Sequence, residues 1–203
     1  SPTSAPKIIL EGALKSFGIK VTEDPTQLSA QVLLVDLKET TNMVPALASK
    51  QVEAIVGPSP FPEVAVSRGV GEIIANLRDL PPKGYWYDFP CCVTAASEET
   101  IAKHPDVVQK FVELIAKTNA WCNKHRIEAA TLAAEWIGLP KESARTSQLV
   151  YLPKFTKNWM GGADKYLTIL NSMGNFTGRL KGKTISQVKP VLFDMRFIDQ
   201  VKL

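Results

Sequence analysis

QVLLVDLKETTNMVPALASKQVEAIVGPSPFP, residues 31–62, is the stretch whose reading decides the fold. Gln31–Val35 is a short run of β-prone aliphatic residues that ends at Asp36. Thr41 stands where a helix N-cap belongs, ahead of Val44, Leu47 and Ala48. Glu53–Gly57 is a second β-prone run, and Ser59 precedes a helix that opens Pro60-Phe61-Pro62. Strand, helix, strand, helix at this spacing predicts an α/β fold: a mostly parallel sheet with helices on its faces.

The alternation extends outward in both directions. Toward the amino terminus, Ser4 caps a helix with Pro6 in its first turn. Its apolar positions Ile8, Ile9, Ala13, Leu14 and Phe17 keep helical period, and Gly18 serves as C-cap. Toward the carboxyl terminus, Glu72–Ala75 predicts another strand. Leu80–Asp88 is a loop punctuated by Pro81-Pro82 and Gly84, and it carries Tyr85, Trp86 and Tyr87 in a row. Phe89–Ala95 is again apolar and β-prone, and at Glu98 the pattern turns helical. A long amphipathic helix is predicted over Asp106–Arg126, with Val107, Val108, Phe111, Leu114, Ile115 and Trp121 on its core face. Further helices are predicted over Glu128–Trp136, Ser143–Leu149 and Phe155–Met173, the last broken early by Gly161-Gly162, with a short one over Ile185–Val188.

Composition bounds the function classes. The chain has 203 residues, enough for one large domain or two small ones. With 45% hydrophobic and 22% charged residues it reads as an ordinary globular protein. The net charge of +4 is mild, and the one basic concentration, at Arg179, Lys181, Lys183 and Lys189, reads as a solvated face. A nucleic-acid groove needs more clustered arginine and interleaved aromatics. No apolar run reaches the roughly 18 residues of a membrane span. Ser1-Pro2-Thr3-Ser4 has neither a basic nor an apolar leader segment, so any secretory signal is expected to have been removed.

The three cysteines, Cys91, Cys92 and Cys122, argue by their odd number against a disulfide framework. Cys91 and Cys92 either form a strained vicinal bridge or, as we read them, are two buried thiols on alternating faces of a strand. Cys122 and His125 have a metal-compatible spacing, but with two histidines and no CxxC no metal or cofactor site is expected.

In open α/β sheets ligands bind beyond the carboxyl ends of the strands, where helix amino termini offer free N–H groups and partial positive charge. Three such termini are predicted, at Thr3-Ser4, Thr41-Asn42 and Ser59. Together they suit an oxyanion, although each alone also reads as an ordinary cap. Phe61 offers an apolar wall. Trp86 and Tyr87 either grip a ring or alkyl chain or pack as core.

Several stretches, in order, resemble the ABC-transporter solute-binding proteins that take nitrate, sulfonates, taurine and thiamine precursors. Ser1–Pro6 leading to Ile9-Leu10 and Phe17-Gly18-Ile19 resembles the family's polar loop, helix and Gly-(Leu/Ile) ending. Ala46-Leu47 through Ala54 resembles ALxxGxVDA, with Lys50 or Gln51 in place of Gly and Glu53 in place of Asp. Gly57-Pro58-Ser59-Pro60-Phe61 lies where the family often has (W)EP. Phe89–Ala95, Glu98–Ile101 and His104–Val108 resemble the strand, EFI and NPEVV of the second half, and Leu192–Ile198 resembles the lfDdrFv tail.

The resemblance implies a periplasmic binding protein-like II fold, with two lobes closing on a small-molecule ligand. It covers the second part of the family's length, so the first half of lobe one is expected to be absent. Residues 1–90 would form lobe two, and residues 91–203 the hinge strand and helical remainder of lobe one. It also implies a monomer at the periplasmic or extracellular membrane face, a permease partner, import of the solute and no catalysis. The competing readings are an enzyme on the same fold acting on a small heterocyclic or aromatic metabolite, and a ligand-binding sensor module. No Ser-His-Asp order, phosphate loop or GxGxxG supports the enzyme.

Overall fold

The structure, a computed structural model, describes residues 3–147 and 149–203. Ser1 and Pro2 of the resemblance, and Gln148 of the helix expected at 143–149, lie outside the described residues. Two compact units emerge, one of Ser1–Tyr87 with Arg126–Leu149 and one of Asp88–His125 with Val150–Leu203.

The first unit begins with α1 (Ala5–Ser16), with Ser4 at its N-cap and Gly18 at φ +72 just past its end. A parallel pair follows, β1 (Val21–Thr22) with β2 (Val32–Leu33), in register Val21↔Val32 and Thr22↔Leu33. A 3-10 turn at Thr40–Asn42 leads into α2 (Met43–Ala48), and α3 spans Phe61–Ser67. Buried Val44, Val64 and Ala65 join α2 to α3, with Leu47, Ile55, Val70 and Leu139 around them.

The mostly parallel sheet expected from the sequence is corrected to this one pair. Among the described residues, Glu53–Gly57, Glu72–Ala75 and Phe89–Ala95 form no ladder. A strand needs a neighbour to take its backbone donors and acceptors. Without one no strand forms; Ile73, Ile74 and Val93 are exposed, while Ile55 packs against the α2–α3 core. Val21–Thr22, the other half of the pair, carries no strand pattern in the sequence.

Lys50 stands at φ +58 just after α2, with its N–H donated to Leu47 O at 3.1 Å and that of Gln51 to Ala46 O at 2.9 Å. This left-handed residue closes the helix, and it is the position where the resembled ALxxGxVDA pattern has glycine. Helices α6 (Arg126–Ile137) and α7 (Lys141–Arg145) complete the unit. The predicted 143–149 helix is thus shifted toward the amino terminus. Ser143, buried, donates to Ser67 Oγ at 3.0 Å, which ties α7 to α3.

The second unit is helical: α4 (Glu98–Lys103), α5 (Pro105–Lys124), α8 (Lys157–Ser172), α9 (Ile185–Leu192) and α10 (Arg196–Asp199). Leu167, Phe176 and Val188 form its core, flanked by Leu170, Leu180, Ile185 and Phe193. Phe155, Trp159 and Phe193 extend it as an aromatic group, with ring centroids 4.4 to 6.4 Å apart. Helix α8 runs unbroken through Gly161-Gly162, against expectation. Thr156 caps it, accepting Trp159 N–H at 3.0 Å, and Gly162 is needed for packing. A Cβ there would lie 2.8 Å from Pro90 Cδ and 3.3 Å from Phe89 Cα.

The core face assigned to α5 divides. Val108 and Ala116 are buried, whereas Val107, Phe111 and Leu114 are exposed. The helix turns its 108–116 side toward α10, where Gln109 Nε2 donates to Phe197 O at 3.1 Å. The paired thiols are also corrected. Cys91 and Cys92 are exposed, and their sulfurs lie 3.6 Å apart instead of on opposite faces.

Candidate functional site

The loop that precedes Ser59 touches the side chain of the first residue of α2. Gly57, two residues before Ser59, lies against Met43, the first residue of α2, and a Cβ on Gly57 would stand 2.5 Å from Met43 Sδ. The contact is with the flexible end of the Met43 side chain. Thr41 and Asn42 are exposed there, in the 3-10 turn that precedes the helix. The Asn42 amide is partly committed, because its Nδ2 donates to Leu37 O at 2.9 Å.

Ser59 does not cap α3 directly, since Pro60 takes the N-cap position. Its hydroxyl donates to Glu63 Oε1 at 2.5 Å and sits 2.8 Å from Ser147 Oγ. Glu63 was not singled out from the sequence, although its i, i+4 spacing from Ser59 is a legible signal. It is 7% exposed, and its Oε2 is buried without a hydrogen-bond partner. Phe61, half-buried, follows on the same turn. The result is a small polar chain in which the Ser59 hydroxyl links the buried Glu63 carboxyl to Ser147. Such a cluster offers acceptor oxygens to N–H or O–H donors.

The third opening, Thr3-Ser4, is half-buried at the start of α1, which packs on β1 and on the 3-10 turn at Leu77–Asp79. Ser4 makes no side-chain cap bond. Lys7, the cation nearest this opening, is held by Glu11 and Glu23, each at 2.8 Å. Burial would lower the Lys7 ammonium, but these two carboxylates outweigh it and raise it. Lys7 is therefore engaged within the protein.

The aromatic triplet divides. Trp86 is 3% exposed, and its Nε1–H donates to Pro81 O at 2.9 Å. Its ring fills the space opposite Gly12 of α1, where a Cβ would be 2.7 Å from Trp86 Cη2. Of the two readings of Trp86, the structure places it as core. Tyr87 is 51% exposed and keeps its ring at the surface. A separate open depression of about 400 Å³ lies between Lys15, Lys20, Gln27 and Ser29, and none of the predicted site residues lines it.

Among the described residues no group of three His, Cys, Asp or Glu side chains is arranged to hold a metal. Among the described residues, too, no helix is long and apolar enough to cross a membrane. A family model described as the NMT1-like family matches residues 1–138, more than half of the 203-residue chain. No curated protein and no solved structure matches it.

Proposed function

The chain belongs to the NMT1-like family, and from that membership we propose that it is a solute-binding protein that captures a small molecule for import by an ABC transporter. The family implies a periplasmic-binding-protein-like fold, and its members are generally solute-binding proteins. The finer reading is two lobes of type II architecture, a monomer at the periplasmic or outer membrane face, a permease as partner and no chemical step. The family match across residues 1–138 carries this reading.

The site proposed is made of the helix-opening residues Thr41, Asn42, Ser59 and Phe61, with Glu63 added. Its chemistry selects among the ligand classes open from the sequence. An oxyanion needs donors, but the Ser59 hydroxyl is already donated to Glu63 and Lys7 is paired elsewhere. Both α2 and α3 are short, with six and seven residues, so their dipoles add little. A solute with an aromatic ring and an N–H or O–H donor, such as a thiamine-precursor-like heterocycle, suits Phe61 and the Glu63 carboxyl better than nitrate or a sulfonate. Ser4 and Tyr87 remain outer candidates on the same unit.

Calorimetric titration tests the assignment, using the solute that stabilises the chain most in a thermal screen. Ser59→Ala is expected to weaken binding by about 1 kcal/mol or more, roughly fivefold in affinity. Unchanged affinity, with the fold intact, would remove Ser59 from the site.

A further inference from the structure

Residues 91–96 run exposed between two anchored points of the second unit. Upstream, Asp88–Pro90 is packed against α8 at Gly162, whose absent Cβ would stand 2.8 Å from Pro90 Cδ and 3.4 Å from Asp88 O. Downstream, Ser97 caps α4, its Oγ accepting the Thr100 N–H at 3.0 Å. Between these anchors Cys91 and Cys92 are both exposed, with Cys92 Sγ–H donating to Cys91 Sγ at 3.6 Å. Adjacent residues of a regular strand point to opposite faces. Here the two sulfurs lie 3.6 Å apart on residues that are both exposed.

We propose that Cys91 and Cys92 form a dithiol site that exchanges with small disulfide oxidants and closes reversibly into a vicinal disulfide. The roles of the two sulfurs differ. Packing around the Cys91 sulfur, although the residue as a whole is exposed, and the hydrogen bond with Cys92 push that thiol up to about 11. Cys91 therefore keeps its proton near neutral pH, and the first attack is assigned to Cys92. With oxidised glutathione as oxidant, Cys92 Sγ bonds to one glutathione sulfur and expels the other as glutathione thiolate. Cys91 then loses its proton and attacks Cys92 Sγ, displacing the second glutathione. The two cysteine thiols give up two electrons and two protons, and one glutathione disulfide becomes two thiols.

Adjacency sets the character of the product. Consecutive Cα atoms are about 3.8 Å apart, below the roughly 4.4–6.8 Å usual for disulfides. The bond therefore forms under strain and is easily reduced, which marks a labile couple and not a structural staple. Cys122 is only half-exposed on α5 and lies outside this pair.

The test uses the full chain, fully reduced and then incubated with oxidised glutathione at mildly alkaline pH, with thiol counting, intact mass and peptide mapping. The expected result is the loss of two of the three thiols and of two hydrogens in mass. A linked Cys91–Cys92 peptide should appear with Cys122 free, and dithiothreitol should reverse the change. Cys91→Ser should stop at a stable glutathione adduct on Cys92, and both single variants should lose the two-hydrogen product. Stable glutathione adducts on the wild type without ring closure, or a bridge that includes Cys122, would overturn the proposal.

Discussion

Adjacent glycines in one helix should respond with opposite signs to the same substitution. Gly161 and Gly162 both lie inside α8. Replacing a helix-interior glycine by alanine gains about 0.8–1.0 kcal/mol from backbone propensity. At Gly161 nothing lies within 4 Å of the added methyl, so Gly161→Ala should keep that gain in full. At Gly162 the methyl would lie 2.8 Å from Pro90 Cδ and 3.3 Å from Phe89 Cα, a closed ring and backbone that cannot swing aside. Overpacking of this kind costs about 1–3 kcal/mol, so Gly162→Ala should lose up to about 2 kcal/mol net. For a chain of this size each kcal/mol moves Tm by about 2–4 °C. Urea unfolding followed by tryptophan fluorescence would measure both variants against wild type. If Gly162→Ala stabilised as much as Gly161→Ala, the close packing of Asp88–Pro90 on α8 would be refuted.

Three other outcomes are expected. Trp86→Ala should cost about 3–5 kcal/mol in urea unfolding, because the ring is buried against α1; Trp86→Phe should cost less, mainly the bond to Pro81 O. Lys50→Gly should stabilise by about 1 kcal/mol, since it relieves a left-handed backbone at a non-glycine residue, and an unchanged midpoint would contradict that conformation. Burial alone would raise the Glu11 carboxyl, but hydrogen bonds and charge from Lys15 and Lys7 outweigh it and hold the group below the usual range. Its folded value lies under its unfolded one, so its stabilisation is present above about pH 4.3 and fades as pH falls through the folded value. Glu11→Gln should accordingly flatten the acid limb of a stability–pH curve.

What could be read from the sequence depended on whether the feature is local. Helix α1 was legible from Ser4, Pro6 and the spacing of Ile8, Ile9 and Ala13, and α5 and α6 from period and the closing Gly138. Strands belong to pairs of segments, and β-prone runs such as Glu53–Gly57 cannot announce whether a neighbour is present. The continuity of α8 was hidden because glycine's cost in a helix is local, whereas the packing that offsets it comes from Pro90, some seventy residues away in sequence. At the proposed site, Ser59, Asn42 and Phe61 were legible as helix-opening residues, whereas the contact of Gly57 with Met43 was not. Glu63 was not singled out, because its bond from Ser59, whose hydroxyl also meets Ser147, needed the fold. Trp86 shows the reverse limit, because an aromatic run in a loop looks the same whether it grips a ligand or fills a core.

Capture of a small solute is tested most directly by a thermal-shift screen of the chain against thiamine-precursor-like heterocycles, aromatic acids, sulfonates and nitrate. A solute at one hundred times its dissociation constant adds about 2.7 kcal/mol, a Tm rise of roughly 5–11 °C. A rise of that size with the donor-bearing heterocycles, absent with nitrate and sulfonates, is the predicted result. A rise with nitrate or a sulfonate alone would contradict the ligand class, and no rise with any of them would contradict the solute-binding reading itself.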